Sequence, residues 1–310
     1  MTYPLARPAR GVSLVELLIG MIIALMVLGI ALQLTLIARQ RYLRLADEAL
    51  MEDRGMQALE LIRTAVEQAG WITDTPATSL TRRWPDKGDA PSLAGMDNCG
   101  GPHMLPTFGC RSNGERGSDA LLVRFAGRST RPDGKGEDGA TRDCSGRGIP
   151  ERIDGASDPR LGYMMLYVSE SSIKDASGRG NELQLMCRSL TREFTGAPKE
   201  PTAGYGMVRG IDTLQLLYTV ATRPGVAMSA SDMQPADWRH VQQVHVAVVI
   251  RGDLAIRPPE PNRITLFPGL SAQATNQDIY FTPTDLRRNR RLFNATLIVR
   301  NPLYCEVDAC

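Results

Sequence analysis

The strongest constraint on the fold is an apolar segment near the start of the chain. From Leu17 to Leu32 every residue is nonpolar or glycine. A helix over the wider segment 12–37 would be about 39 Å long at roughly 1.5 Å per residue, which is enough to cross a bilayer. Arg7 and Arg10 precede the segment and should stay cytoplasmic, so the rest of the chain is expected outside.

One acidic residue, Glu16, lies at the head of this segment. A carboxylate inside a bilayer raises the free energy of insertion by roughly 2.5–3.5 kcal/mol, and a plain membrane anchor does not need one. A cleaved secretory signal would have a shorter apolar core followed by small residues, and no such cleavage site is obvious. One explanation is an interfacial acid that reaches the membrane surface.

The six cysteines all follow the apolar segment, which favours disulfides in an oxidising compartment. They are Cys99, Cys110, Cys144, Cys187, Cys305 and Cys310. A preference for near pairs among the fifteen connectivities predicts Cys99–Cys110, Cys144–Cys187 and Cys305–Cys310. The alternative is a zinc site that includes His103, but there is no CxxC motif.

The residues around Glu16, "GVSLVEL" from Gly11 to Leu17, resemble the type IV prepilin signal. The resemblance implies that a prepilin peptidase cleaves after Gly11 and methylates Val12, although most pilins begin with Phe. Glu16 would then be the fifth residue of the mature chain. In this family its partner is the N-terminal amine of a neighbouring subunit, so Glu16 would align subunits during assembly.

After the apolar segment, residues 40–70 are predicted to continue as an amphipathic helix. Leu43, Leu50, Leu59, Ile62 and Val66 recur at helical spacing among charged residues, which predicts one buried stripe. Two glycines punctuate this helix: Gly55 is expected to mark a bend, and Gly70 is expected to end it. The predicted organisation is therefore a leader (1–11), a transmembrane and assembly half-helix (12–39), an amphipathic half-helix (40–70) and a β-rich periplasmic domain (71–310).

The rest of the chain reads as loops and strands. Residues 72–118 and 131–150 are rich in glycine, proline or polar residues and are predicted to be loops. Apolar segments predict strands at 119–125, 161–170 and 181–188, the last two bounded by turn residues. Alternating apolar residues predict three more, at 207–221, 241–252 and 292–301. The pair 161–170 and 181–188 looks like a hairpin. An antiparallel sheet with one apolar face, covered by the helix stripe, gives an α+β fold, and the resemblance implies that it is the type IV pilin fold.

The C-terminal strands extend the resemblance. "GMVRGIDTLQLLYTV", "VQQVHVAVVIRG" and "DLRRNRRLFNATLIVRNP" occur in the order found in the PilW group of minor pilins. The resemblance implies a minor pilin that primes pilus assembly at or near the fibre tip, in a machine that serves adhesion and twitching motility. Its implied partners are prepilin peptidase, the inner membrane, other minor pilins and the major pilin, with a PilY-type tip adhesin as a further candidate. A minor pseudopilin of a type II secretion system is the alternative.

No sequence motif indicates catalysis: GxSxG, HExxH and P-loop patterns are absent, so we expect no enzyme activity, cofactor or metal. Acidic loops near residues 137–143 and 154–158 lack EF-hand spacing and are expected to be solvated. His245 should be exposed or covered by a loop.

A basic cluster, Arg287, Arg288, Arg290 and Arg291, is a candidate contact patch for an acidic partner or DNA. The alternative is a solvated strand entry that keeps the edge from aggregating. Without Arg7 and Arg10 the chain has 34 basic and 34 acidic residues, so no specific nucleic acid is expected. A tip module that binds DNA or a surface ligand remains a second functional alternative.

Overall fold

A computed structural model describes the chain at residues 13–71, 91–104, 107–128, 137–150, 162–174, 178, 180–189, 191–192, 198–199, 204–255 and 263–301. The chain divides into two compact units, Met1–Glu48 and Ala49–Cys310. Among the described residues, the first unit contributes the start of one long helix, and the second contributes the rest of that helix together with the strands.

One long helix, α1, spans Leu14–Gln68. Ser13 caps it, because the Ser13 Oγ accepts a hydrogen bond from the Val15 amide at 3.3 Å. The helix ends as the sequence predicts: Gly70 adopts a φ of 70°, a left-handed conformation that glycine takes without strain. The Gly70 amide then donates to the Arg124 carbonyl at 3.0 Å, which ties the helix end to a neighbouring strand.

The strands that follow are mostly short. In chain order they are β1 (Leu93–Met96), β2 (Ala120–Phe125), β3 (Glu137–Arg142), β4 (Gly148–Pro150), β5 (Gly162–Lys174), β6 (Asn181–Ser189), β7 (Thr191–Arg192), β8 (Pro198–Lys199), β9 (Tyr205–Arg209), β10 (Ile211–Val220), β11 (Ala227–Met228), β12 (Val241–Ala255), β13 (Ile264–Thr265), β14 (Ala272–Gln273), β15 (Tyr280–Phe281) and β16 (Arg288–Ile298). A short helix, α2, spans Asn276–Ile279, and 3₁₀ turns span Glu115–Gly117, Ala230–Asp232 and Asp237–Arg239.

Two five-stranded sheets organise these strands. The first has the order β1-β2-β5-β6-β9, and the second has the order β14-β11-β10-β12-β16. Their neighbours pair antiparallel, apart from the two-residue parallel contact of β11 with β14. The predicted hairpin is present as β5 and β6. A helix followed by antiparallel sheets confirms the predicted α+β class.

Both sheets and the second part of α1 share one core. The inner face of the first sheet contributes alternate residues such as Leu121 and Leu166, and the second contributes Leu216 and Val246. Helix residues of this core are Met51, Ala58, Ile62, Ala65, Val66 and Ala69.

The predicted stripe is confirmed at Ile62 and Val66, which are fully buried, and at Leu59, which packs against the core, but Leu43 and Leu50 lie outside it. Leu50 stays 37% exposed, whereas Met51 is only 1% exposed. Gly55, the residue expected to mark a bend, lies within the uninterrupted helix α1. Its missing side chain instead admits the Phe293 ring, whose Cε2 lies 2.3 Å from where a Cβ would stand.

The strands also bury their outer faces, which the prediction of one apolar face did not anticipate. A segment with Leu266 and Phe267 covers Leu217 and Val249 of the second sheet. Met104, in a loop, covers the outer face of the first sheet. This second layer explains why strands such as "ALLVRF" read as continuous apolar runs rather than as alternating ones.

Three other predictions of secondary structure need correction. The strand predicted at 207–221 is two strands in different sheets, because Gly210 adopts a φ of 80° between β9 and β10. Strand β1 lies inside the predicted loop 72–118. The predicted loop 131–150 contains the antiparallel pair β3–β4. Glycine and proline in these segments suppressed the strand signal without preventing short pairings.

Candidate functional site

The first part of α1 is an exposed apolar surface. Its large hydrophobic residues from Leu14 to Ile37 are each between 47% and 77% exposed. Monomeric soluble proteins rarely leave such a patch open to water, so it marks a membrane or protein contact. By length and composition this is also the one helix, among the described residues, able to cross a membrane.

Polar groups on this surface are few and mostly satisfied locally. The Thr35 hydroxyl donates to the Ala31 carbonyl at 2.8 Å, the usual way for a helix to accommodate a hydroxyl in an apolar setting. Arg39, Arg41 and Arg44 are exposed and follow the apolar segment, where they mark its polar end.

Glu16 is the only charged residue between Gly11 and Arg39. It lies in the first turn of α1, where the helix dipole and the free backbone amides favour a negative charge. Within the described part of the chain no ion pair involves Glu16. A carboxylate in apolar surroundings needs a cationic partner.

The predicted processing site itself, Gly11 and Val12, lies outside the described residues. Its geometry is therefore not part of the structure, and cleavage and methylation stay predictions from the sequence.

Two disulfides are present in the globular unit, and both are predicted pairs. The short-loop disulfide, Cys99–Cys110, joins residues 11 apart with a Cα–Cα distance of 5.3 Å. The long-loop disulfide, Cys144–Cys187, joins residues 43 apart with a Cα–Cα distance of 6.2 Å. It fastens the β3–β4 turn to strand β6. The third predicted pair, Cys305–Cys310, lies outside the described residues.

These disulfides leave none of the four described cysteines available to zinc. His103, the suggested zinc ligand, instead pairs through its backbone with Gly109, inside the loop that the short-loop disulfide closes. Asp143, one of the acids considered for calcium, has its Oδ1 engaged by the Ser145 amide at 2.8 Å and the Arg147 amide at 3.1 Å. No cluster of three or more metal-ligating side chains occurs in the described residues.

The predicted basic patch is not one surface. Strand alternation sends neighbouring arginines of β16 to opposite faces: Arg291 contacts Glu52 of α1 at 2.7 Å, while Arg290 contacts Asp212 at 2.6 Å. Arg288 is buried and donates to the Asp253 carbonyl. Only Arg287 and Arg291 remain exposed. The prediction of a four-arginine contact patch is therefore wrong.

A buried cluster around Asp212 was not predicted from the sequence. This carboxylate is fully buried and contacts Arg116, Arg251 at 3.6 Å and Arg290 at 2.6 Å. Burial, reinforced by the two neighbouring arginines, lowers the pKa of Arg116 despite the attraction of Asp212. The cluster draws on residues far apart in the chain, so no local motif could have revealed it.

Two further buried polar residues are Asp119, which was not predicted from the sequence, and His245, which was expected to be either exposed or covered by a loop. Asp119 accepts hydrogen bonds from the Asn98 amide at 2.9 Å and the Leu216 amide at 2.8 Å, and so joins the two sheets. Burial, together with the nearby Asp97, raises the pKa of Asp119 well above its usual range. His245 is buried beneath a loop, one of the two predicted outcomes, and bridges Thr219 at 2.8 Å and Thr296 at 2.9 Å.

The strands of the globular unit match a known protein family. Residues 167–301 match the family model of the type IV pilus-assembly protein W, PilW. The match covers less than half of the chain and runs from β5 to just beyond β16. It confirms, over these residues, the resemblance to PilW inferred from the strand motifs. It also supports a pilin role and an interaction with other pilus components.

A search of solved structures finds a type IV-like pilin from Thermus thermophilus, with a TM-score of 0.36 and 10% sequence identity. The similarity covers 81% of this chain and 96% of that pilin. The comparison with curated proteins gives no match.

Proposed function

We propose that this chain is a minor pilin that primes type IV pilus assembly and occupies a position at or near the fibre tip. The observation that carries the proposal is a lone carboxylate, Glu16, at the head of an exposed apolar helix. The PilW match over residues 167–301 supports the choice of machine, since it favours a pilus over a type II secretion system.

The proposed role of Glu16 follows from electrostatics. Cleavage after Gly11 creates a cationic amine at Val12, only four residues before Glu16. When apolar helices of several subunits bundle, an amine on one helix can neutralise the carboxylate of the next. Removing one member of such a buried pair costs about 3–5 kcal/mol. A packing of helices that leaves Glu16 without an amine carries the same kind of penalty, so the favoured register is the one that places the amine of one subunit beside Glu16 of the next.

The remaining parts have structural roles in this proposal, and none is catalytic. Before assembly the apolar half of α1 holds the chain in the inner membrane as a single span. The disulfide-bonded domain then lies in the periplasm and contacts the other minor pilins, the major pilin and, as a further candidate, a PilY-type adhesin. After assembly the same helix leaves the membrane for the core of the fibre.

The test is Glu16→Leu, with Glu48→Leu, an exposed acid on the same helix, as the matched control. Both variants should insert, and intact mass should show loss of residues 1–11 plus one methyl group. Surface pili should fall about 100-fold or more with Glu16→Leu, as expected from losing about 3 kcal/mol in docking. Glu48→Leu should leave pili unchanged.

Three results would contradict the proposal. Normal piliation by Glu16→Leu would show that the carboxylate does not align subunits. A fall in type II secretion with unchanged pili would assign the chain to the secretion machine instead. A mature wild-type chain that keeps Met1, in cells with active peptidase, would remove the prepilin interpretation altogether.

A further inference from the structure

A cavity of about 210 Å³ lies on the outer face of β16, away from α1. Its lining combines three arginines with apolar side chains: Arg263, Ile264, Pro283, Leu286, Arg288, Arg290 and Leu292. With a water occupying about 30 Å³ in the liquid, the cavity has room for a small polar group but not for a polymer.

Arg290 is the most deeply placed of the three arginines, with its side chain only 4% exposed. Its Nε donates to Asp212 at 2.6 Å, and its Nη1 donates to the Arg288 carbonyl at 3.0 Å. Its Nη2 is buried and has no hydrogen-bond partner among the described residues. A buried guanidinium nitrogen without an acceptor is costly, which points to an acceptor that the chain does not itself supply.

Asp212, the carboxylate partner of Arg290, also contacts Arg116 and Arg251. None of these contacts gives the Arg290 Nη2 an acceptor. A cationic donor of this kind makes its strongest hydrogen bonds to an anion.

The other two arginines of the cavity bring further positive charge to its lining. Arg288 forms an ion pair with Asp285 at 3.8 Å, a distance beyond a hydrogen bond. Arg263 lies over the ring of Tyr280, with its guanidinium carbon 3.6 Å from the ring centroid, which fixes its orientation without neutralising it.

We propose that this cavity binds a small oxyanion, a carboxylate or a phosphate group, held by Arg263, Arg288 and Arg290. The planar arginine fork matches both groups, since each presents paired oxygens. Ile264, Leu286 and Leu292 form the apolar walls, which lower the local dielectric and strengthen each contact. The same walls accept a short carbon substituent on the anion.

The test uses the full chain in detergent, with sodium phosphate and sodium acetate titrated calorimetrically against sodium chloride at equal ionic strength. At least one of the two oxyanions should bind, and which one binds identifies the group. Arg263→Gln should weaken binding about tenfold, as expected for the loss of one charge-assisted hydrogen bond. Arg287→Gln removes the same charge from an exposed neighbour outside the cavity and should change affinity less than twofold.

Arg290→Gln is less suitable, because Arg290 also supports Asp212 and its loss could unfold the domain. Leu286→Trp is the second variant: it fills the cavity while keeping every arginine, and it should abolish binding. The proposal is overturned if neither phosphate nor acetate binds more than chloride does. It is equally overturned if Arg287→Gln weakens binding as much as Arg263→Gln, or if Leu286→Trp binds like the wild type.

Discussion

The contact of Gly55 with Phe293 makes a quantitative test of how α1 packs on the second sheet. A Cβ at Gly55 would lie 2.3–2.4 Å from three atoms of the Phe293 ring. Ordinary contacts between carbon atoms are about 3.5–4.0 Å. The ring is 7% exposed and belongs to the shared core, so Gly55→Ala forces a displacement of more than about 1 Å in close-packed surroundings.

Two opposing effects set the magnitude. Replacing glycine by alanine in a helix stabilises it by about 1 kcal/mol. Overpacking a core typically destabilises by about 1–3 kcal/mol, and the overlap here favours the upper part of that range. Gly55→Ala should therefore lower the free energy of unfolding by about 1–2 kcal/mol, which corresponds to a fall in Tm of roughly 2–8 °C for a domain of this size.

A double-mutant cycle with Phe293→Leu tests the cause. Near-ultraviolet circular dichroism of the full chain in detergent would follow thermal unfolding. In the Phe293→Leu background the clash disappears, so Gly55→Ala should become stabilising, and its effect should change sign. Gly180→Ala, where a Cβ meets nothing within 4 Å, controls for the substitution itself. If Gly55→Ala has the same effect in both backgrounds, contact with the ring does not explain the glycine.

Two further predictions concern the same domain. Replacing both cysteines of the long-loop disulfide by serine should lower the free energy of unfolding of the domain by about 4 kcal/mol. The same change at the short-loop disulfide should lower it by about 3 kcal/mol, because the closed loop is shorter. A larger loss from the short-loop change in denaturant titrations would contradict this order. Burial lowers the pKa of His245 below its usual 6.5, so the unfolded chain binds the proton more readily. Stability should thus be intact above about pH 6.5 and fall as the pH drops through the folded pKa of His245. His245→Gln should flatten that fall between pH 7.5 and 5, and an unchanged pH profile of Tm would refute the assignment.

The elements that the sequence predicted correctly are those governed by local patterns. The ladder β10–β12–β16 was visible because each strand alternates apolar residues over most of its length. The end of α1 was visible because Gly70 adopts a conformation that other residues rarely take. The two described disulfides followed from sequence proximity alone.

What the sequence could not show depends on tertiary contacts. Leu50 and Met51 are both good candidates for a buried helix face. Packing on the two sheets, including the contact of Phe293 with Gly55, buries the face of Met51 and Ala58. The outer layer over the sheets depends on loops that carry no periodicity. The cluster at Asp212 joins residues from four separate parts of the chain, which only the folded structure brings together.

The arginines at 287–291 show how this difference bears on function. As a sequence they form a dense basic cluster suited to phosphates, but Arg288 and Arg290 are buried and Arg291 is paired with Glu52. At most two guanidinium groups therefore remain for an external polyanion. Each phosphate of duplex DNA that a protein neutralises adds roughly 0.9 to the slope with which the logarithm of the binding constant falls against the logarithm of salt concentration. A protein with about six to ten phosphate contacts therefore shows a steep slope. This cluster could supply a slope of only about 2, too weak to serve by itself as a DNA-binding surface, so binding to DNA would require a second basic surface elsewhere on the chain.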